Sequence, residues 1–334
     1  MRALRLNIVV EKLPLAFPFR ISGFVFEEQE VVVVTLDDGA HRGSGEASGV
    51  YYLQDTPQAM LAALEGVRRD IEAGIDRAAL QNLLPAGGAR NAVDCALWEL
   101  EAHRLATPVW KLAGLPPPEA LLTTFTLGAD DPAAMAAGAR RYPHARALKL
   151  KLTGDFDLDI ARVRAVRAVR PDVWMAVDAN QGYAIDGLDA LIGALTGADV
   201  SMLEQPLQRG READLEGFVS RIPIAADESA LGIADLAALK GRFEVVNIKL
   251  DKCGGLTEGL AMAHEARRLG LQVMVGNMVG TSLAMAPAFV LGQLCDVVDL
   301  DGPIFLAQDR TPNMTYTNGM AWSGDDVWGG AGES

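Results

Sequence analysis

Three short apolar runs that each stop at a carboxylate constrain this chain more than any other feature. Residues 173–178 end in Asp178, 200–204 in Glu204 and 223–227 in Asp227. The acids follow one another at intervals of 26 and then 23 residues (178 to 204 to 227), with helix-like sequence in the gaps. That is the repeat of a strand–helix unit in a (β/α)8 barrel, whose strands all open their C-terminal ends on one face. Three acids converging there raise one another's pKa unless a cation sits between them. A hard divalent ion with room for water and a substrate oxygen suits such a set, and Mg2+, one per chain, is the expectation. A single strand-end acid would be an ordinary loop carboxylate; three in sequential units are a candidate metal site.

At 334 residues, half of them apolar, the chain can bury a barrel and a smaller domain. A net charge of −14 speaks against nucleic acid and anionic membrane as partners. Cys95, Cys253 and Cys295 are isolated, as in a reducing compartment, and four scattered histidines do not suggest a zinc site. The first residues alternate like a strand rather than a signal peptide, and no apolar run is long enough to span a bilayer. The expectation is a soluble, cytoplasmic protein.

Residues 3–12 and 30–37 read as strands, with a turn at Asp37-Asp38-Gly39 and a third strand from Gly43. The segment between the first two carries Phe17, Phe19, Phe24 and Phe26 without a clean period; it reads equally as a lid or as a loop packed on the barrel. Tyr51-Tyr52 sits in a second loop of this kind. Helices are expected over 56–76 and 91–105, the latter burying Val93, Leu97 and Leu100 with Glu99 and Arg104 outward. Prolines at 108 and 116–118 mark a boundary. This predicts an α+β cap over 1–115, with lid loops near 17–30 and 50–55, and an α/β barrel over 116–308. A tail over 309–334 would return to the cap. Eight barrel strands are expected at 123–128, 147–152, 173–178, 200–204, 223–227, 245–250, 272–276 and 296–300. The arginines of 161–170 read as a solvated helix face.

Lys149 and Lys151, two apart on the second strand, share a face and point into the barrel mouth. Adjacent ammonium groups lower each other's pKa, which would free one as a neutral base. Lys252 is expected at the end of strand six, before Gly254-Gly255, with Lys249 structural. Strands two and six lie across the barrel from each other, so two amines would bracket the metal. A metal-held carboxylate can lose its α-proton to an enediolate, and a base on each face would invert the centre.

These residues resemble the enolase superfamily, its muconate-lactonizing subgroup, and within it the dipeptide epimerases of the L-Ala-D/L-Glu type. The motifs carrying the resemblance are Lys149-Leu-Lys151, Asp178-Ala-Asn180, Glu204-Gln-Pro206, Asp227-Glu-Ser229 and the run from Asn247 to Gly255, with 84–98 in the cap. The resemblance implies that Asp178, Glu204 and Asp227 bind Mg2+. It also implies that Lys151 and Lys252 are the acid/base pair of an isomerase, assisted by Lys149. Asp299 and Asp301 would bind the free ammonium of a dipeptide, as two carboxylates on one face of a strand end can. The L-Ala-D/L-Glu enzymes carry an arginine shortly after the Pro-Phe pair of the lid. Here Gly23–Phe26 follows that pair, and Arg20 is the sole nearby candidate. Phe24 and Phe26 point to an apolar second residue, while Glu27, Glu28 and Glu30 leave a cationic one open; Tyr51 is a further candidate for substrate binding. Family members commonly form homo-oligomers.

Three other readings compete. N-succinylamino acid racemases, o-succinylbenzoate synthases and muconate cycloisomerases share the acids and lysines but have no need of Asp299 and Asp301. Mandelate-type racemases and acid-sugar dehydratases use a histidine on the far side of the mouth, and Val275–Thr281 holds none. An inactive barrel that only binds would be expected to have a broken site.

Overall fold

The computed structural model describes residues 3–21 and 24–331; the side chains of 19–24, including Arg20 and Phe24, lie outside the described residues. An antiparallel sheet opens the chain: β1 (Arg5–Ile21), β2 (Phe24–Asp37) and β3 (Arg42–Ala47), in that order. The β2–β3 turn is tight because Gly39 takes φ 88° and donates its N–H to Asp37 Oδ1 at 2.6 Å. Through 17–30, expected as a loop, β1 and β2 instead stay paired from Arg5–Asp37 out to Ile21–Phe24, with one irregularity between Pro14 and Phe19. The aromatic and β-branched residues outweigh the missing period, and Pro14 and Pro18 are tolerated because β1 is an edge strand. The segment expected as a loop is therefore a hairpin arm.

Helices α1 (Pro57–Gly66), α2 (Arg68–Glu72), α3 (Arg77–Leu83) and α4 (Gly88–Leu105) complete the cap. Helix α4 presses its backbone onto β3, where Gly43 and Gly45 leave no room for a Cβ beside Ala92, Ala96 and Leu100. Val32, Val34, Leu36, Val93, Leu97 and Leu100 lie in the resulting core. Glu99, expected outward, instead accepts from the backbone N–H of Ser44 at 2.7 Å and Gly329 at 3.1 Å.

After α5 (Val109–Leu112) and β4 (Leu121–Leu122), the chain alternates strand and crossover. The barrel strands are β5 (Phe125–Leu127), β6 (Ala147–Lys151), β7 (Trp174–Asp178), β8 (Met202–Glu204), β9 (Ile224–Ala226), β10 (Val245–Ile248), β11 (Gln272–Val275) and β12 (Val297–Val298). Neighbours pair parallel in chain order, and Thr124 N–H donates to the Val298 carbonyl at 3.0 Å, joining last strand to first. Helices α6 (Pro132–Arg140), α7 (Phe156–Val169), α8 (Ile185–Gly197), α9 (Leu236–Leu239), α10 (Leu250–Cys253), α11 (Leu256–Leu269) and α12 (Ser282–Gly292) supply the crossovers.

The segment between Glu204 and Asp227, expected helical, holds a single 3-10 turn over Glu212–Leu215. Gly210 and Gly217, both at positive φ, break it on either side. Nor is the arginine run of α7 wholly solvated, because Arg162 is buried against Asp159, Thr153 and the Asp130 carbonyl. The tail pairs β13 (Thr315–Thr317) with β14 (Met320–Trp322), and β14 with β4. It then reaches the cap, where Trp328 Nε1 donates to the Ser44 carbonyl at 2.9 Å.

Candidate active site

The barrel is plugged by Ala176, Met202, Ala225, Val245 and Met274, one from each of five successive strands. Strand side chains on one face recur every second residue. Two steps beyond the plug on those strands lie Asp178, Glu204, Asp227, Asn247 and Gly276. Sequence periodicity thus lifts the three acids into one layer at the barrel mouth. All three are buried, and ligand oxygens from each lie within 4.8 Å of one another. Gly276 has to be small: a Cβ there would stand 2.6 Å from Asn247 Oδ1. Asn247 Nδ2 donates to Glu204 Oε1 at 2.8 Å.

Lysines neutralise this layer. Lys149 Nζ lies 2.7 Å from Glu204 Oε2, 3.6 Å from Asp178 and 2.9 Å from Asp299. Lys151 donates to Asp178 at 2.6 Å, and Lys249 to Asp227 at 2.6 Å. Burial pulls the Lys149 ammonium down, but Asp299, Glu204 and Asp178 outweigh it and hold the group well above its ordinary value. The expected mutual depression of the lysine pair is thus overruled at Lys149 by nearer carboxylates. Burial and the Asp178 charge push Glu204 up to about 7, and burial and Asp227 push Glu228 up to about 8. Asp227 is held well below its usual range: burial raises it, but Lys249, Lys252 and Lys149 prevail.

The donor set fits a small, hard, hydrated cation. Glu204 Oε2 is buried and faces Lys149 without hydrogen-bond geometry, and Asn180 Oδ1, Glu228 Oε2 and Asn247 Oδ1 are likewise buried without a donor. Such orphan acceptors around three carboxylates suit the waters that Mg2+ retains.

Lys252 is not where the sequence placed it. Strand β10 ends at Ile248, and residues 250–253 wind into a helical turn, so Lys252 folds beneath the mouth. Its ammonium is wholly buried, donating to Asp227 Oδ1 at 2.6 Å and to the carbonyls of Asp227 and Asn247 at 2.5 and 2.9 Å. Lys249, two residues from Asn247 on the inward face, lines the cleft instead. Applying to Asn247–Lys249 the alternation used for Lys149–Lys151 would have found it.

A cleft of about 420 Å3 covers the layer. Its floor includes Lys149, Lys151, Lys249, Asp227, Glu228 and Asn180. On one side stand Asp299 and Asp301, the former accepting from Thr124 Oγ1 at 2.5 Å and the latter from Thr126 N–H at 2.6 Å. Burial and Asp299 push Asp301 up to about 7. The outer wall comes from the cap: Phe26 packs edge-on to Tyr51 at 5.8 Å, Tyr51 to Tyr52 at 5.2 Å, and Lys12 pairs with Glu28 and Glu30. Glu228 and Lys12 were not singled out from sequence. Glu228 follows a metal-site acid directly, but nothing local marks Lys12, which arrives through long-range pairing of β1 with β2.

Comparison with known proteins shows the family. The family described as mandelate racemase / muconate lactonizing enzyme, N-terminal domain, matches residues 3–114, and enolase C-terminal domain-like matches 133–321. An L-Ala-D/L-Glu epimerase of Escherichia coli is 41% identical over 313 residues, 94% of this chain and 98% of the relative. Among solved structures, an enolase family member from Agrobacterium tumefaciens with homology to dipeptide epimerases holds sodium and L-Ala-L-Glu. It superposes with a TM-score of 0.94 at 38% identity, over 98% of this chain and 100% of that one. A dipeptide epimerase from Methylococcus capsulatus, complexed with Mg and L-Arg-D-Lys, gives 0.90 at 31% identity, over 96% and 97%.

Proposed function

The chain belongs to the mandelate racemase / muconate lactonizing enzyme family of the enolase superfamily, and from that premise we propose that it is a Mg2+-dependent dipeptide epimerase. The observation that carries this is one cleft that reaches the acid triad at Asp227 and is lined by amines at the ends of two opposed strands, with Asp299 and Asp301 to one side. Asp178, Glu204 and Asp227 would hold the ion, which would supply positive charge that makes the α-C–H of a bound carboxylate more acidic.

Asp299 and Asp301 receive the dipeptide's ammonium, whose charge relieves the repulsion between them. Lys151 and Lys249 are the acid/base pair, a reassignment from Lys252, which reaches no cleft surface. One lysine takes the α-proton of the C-terminal residue from one face as the enediolate forms, and the other delivers a proton to the opposite face. Lys149, already bound to Glu204 and Asp299, holds positive charge where the carboxylate gains negative charge.

The cap (1–115 with the 309–334 tail) selects the side chain, and the barrel (116–308) performs the chemistry. We assign an apolar second residue. Phe26, Tyr51 and Tyr52 present a ring wall, and the described cations of the cleft (Lys12, Lys149, Lys151 and Lys249) all face carboxylates of the protein. An acidic side chain would therefore find no cation to itself among the described residues. Free thiols at Cys95, Cys253 and Cys295 support a cytoplasmic setting.

The test is deuterium uptake at the α-carbon of L-Ala-L-Xaa dipeptides in D2O with Mg2+, read by mass spectrometry. Exchange that prefers Xaa = Leu or Phe and is lost on N-acetylation supports the reading. Preference for Glu would return the side-chain assignment to Arg20, and exchange confined to N-acylamino acids would overturn the role of Asp299 and Asp301.

A further inference from the structure

The turn that follows Lys249 is held by the cap, not by the barrel alone. Lys249 is the last extended residue before α10, and its carbonyl accepts from the N–H groups of Lys252 and Cys253 at 3.0 and 3.1 Å. The turn then leaves through Gly254 and Gly255, at φ 84° and 119°, conformations in which side chains are strained. Helix α4 fills the space this frees. A Cβ on Gly254 would strike the Arg90 guanidinium, and one on Gly255 would stand 2.5 Å from Asp94 Cβ.

Four side chains on one side of α4 grip the segment. Arg90 donates to the Cys253 carbonyl at 2.5 Å and the Gly254 carbonyl at 3.2 Å. Its other nitrogen points to the carbonyls of Gln81 and Leu84, at 3.4 and 3.5 Å, which fixes the fork in the cap. Asp94 accepts from Thr257 N–H at 2.9 Å, Trp98 Nε1 donates to Thr257 Oγ1 at 3.0 Å, and Asn91 bonds the Asp251 carboxyl. Arg90 and Asp94 are nearly or wholly buried, so this grip is not diluted by water. No comparable cap side chain reaches β6, the strand of Lys151, among the described hydrogen bonds.

We infer that Arg90 is a positioning residue for one of the two proton transfers: through the Cys253–Gly254 carbonyls it sets where Lys249 stands in the cleft. Arg90 touches neither substrate nor reacting atoms. Its effect is carried by four residues of main chain, and it is one-sided because Lys151 is mounted on a different strand. The inference rests on Lys151 and Lys249 serving opposite faces of the α-carbon.

The experiment measures α-hydrogen exchange separately from the L,L and L,D epimers of one dipeptide, in holoenzyme with Mg2+, for wild type, Lys249→Ala, Arg90→Met and Arg90→Lys. Lys249→Ala identifies the epimer that Lys249 deprotonates. Arg90→Met is expected to slow exchange from that same epimer about 10- to 100-fold, the cost of a small misplacement of a reacting group. Exchange from the other epimer and KM for both stay within about threefold of wild type. Retained exchange from the other epimer also reports that the site is folded. Arg90→Lys, which keeps the charge but not the fork, recovers part of the loss.

Equal loss from both epimers in Arg90→Lys, or no loss in Arg90→Met, overturns the inference. If Arg90→Met loses both epimers through misfolding, Arg90→Lys decides by the same criterion. If Lys249→Ala itself spares both epimers or abolishes both alike, the assignment of Lys249 to one face fails first and the inference falls with it.

Discussion

Two lysines three residues apart do different work because the backbone changes period between them. Lys249 continues the alternation of Val245 and Asn247 and enters the cleft, whereas Lys252 sits one helical turn on and ties the ends of β9 and β10 together. Lys252→Met leaves the buried Asp227 and Asn247 carbonyls without that donor and removes one partner of a buried ion pair. It should lower the unfolding free energy by about 3–5 kcal/mol, measured by chemical denaturation. Lys249→Ala should keep its fold with Mg2+ present, since the ion replaces the lost charge beside Asp227, yet lose exchange from one epimer. A stable Lys252→Met protein lacking exchange, beside an active Lys249→Ala, would restore Lys252 as the base.

At the scale of elements, the cap is joined by a close approach of helix and strand. Gly43 and Gly45 face α4 so closely that a methyl at Gly45 would overlap the Ala92 carbonyl, a backbone atom that cannot rotate away. Gly45→Ala should cost about 1–3 kcal/mol by overpacking, with a lower denaturation midpoint and an unchanged slope. An unchanged midpoint would mean that α4 shifts freely. This contact had no signature in the sequence, because a glycine in a strand reads only as a weak strand residue. The barrel strands, in contrast, were legible: each is short, apolar and bounded by turn residues, and parallel pairing needs no register beyond chain order. The β1–β2 arm was misread because residues 25–30 are exposed or half-buried on both faces, so no alternation marks them. The 204–227 crossover was misread because helical composition says nothing of the two glycines that break it.

Across the whole molecule, cap and barrel meet over buried acids, and this makes their union pH-dependent. The positions of the triad and of Asp299 were legible in the sequence because each ends or directly follows a barrel strand, whereas Asp301 lies two residues further on, before the turn Gly302–Phe305. The docking contacts could not, since Asp251 finds Ser48 and Gly49 some two hundred positions away. Asp251 accepts both N–H groups on one oxygen, at 2.9 and 3.0 Å, and so anchors the loop that carries Tyr51 and Tyr52. Burial dominates those donors and pushes its carboxyl up to about 7, against an ordinary value of 3.8. Between those values the native state keeps a proton that the unfolded chain has released. The unfolded state binds fewer protons, so stability falls as pH rises from about 4 to about 7 and levels off above. Asp251→Asn retains an acceptor oxygen for Ser48 and Gly49 but cannot ionise. Other buried acids titrate in the same window, so the informative quantity is the difference between wild type and variant. Denaturation at pH 5 and pH 8 should show wild type losing more stability across that interval than Asp251→Asn. Parallel losses would mean that Asp251 is already ionised in the native state, and that its two backbone donors outweigh burial in holding the Tyr51–Tyr52 loop to the barrel.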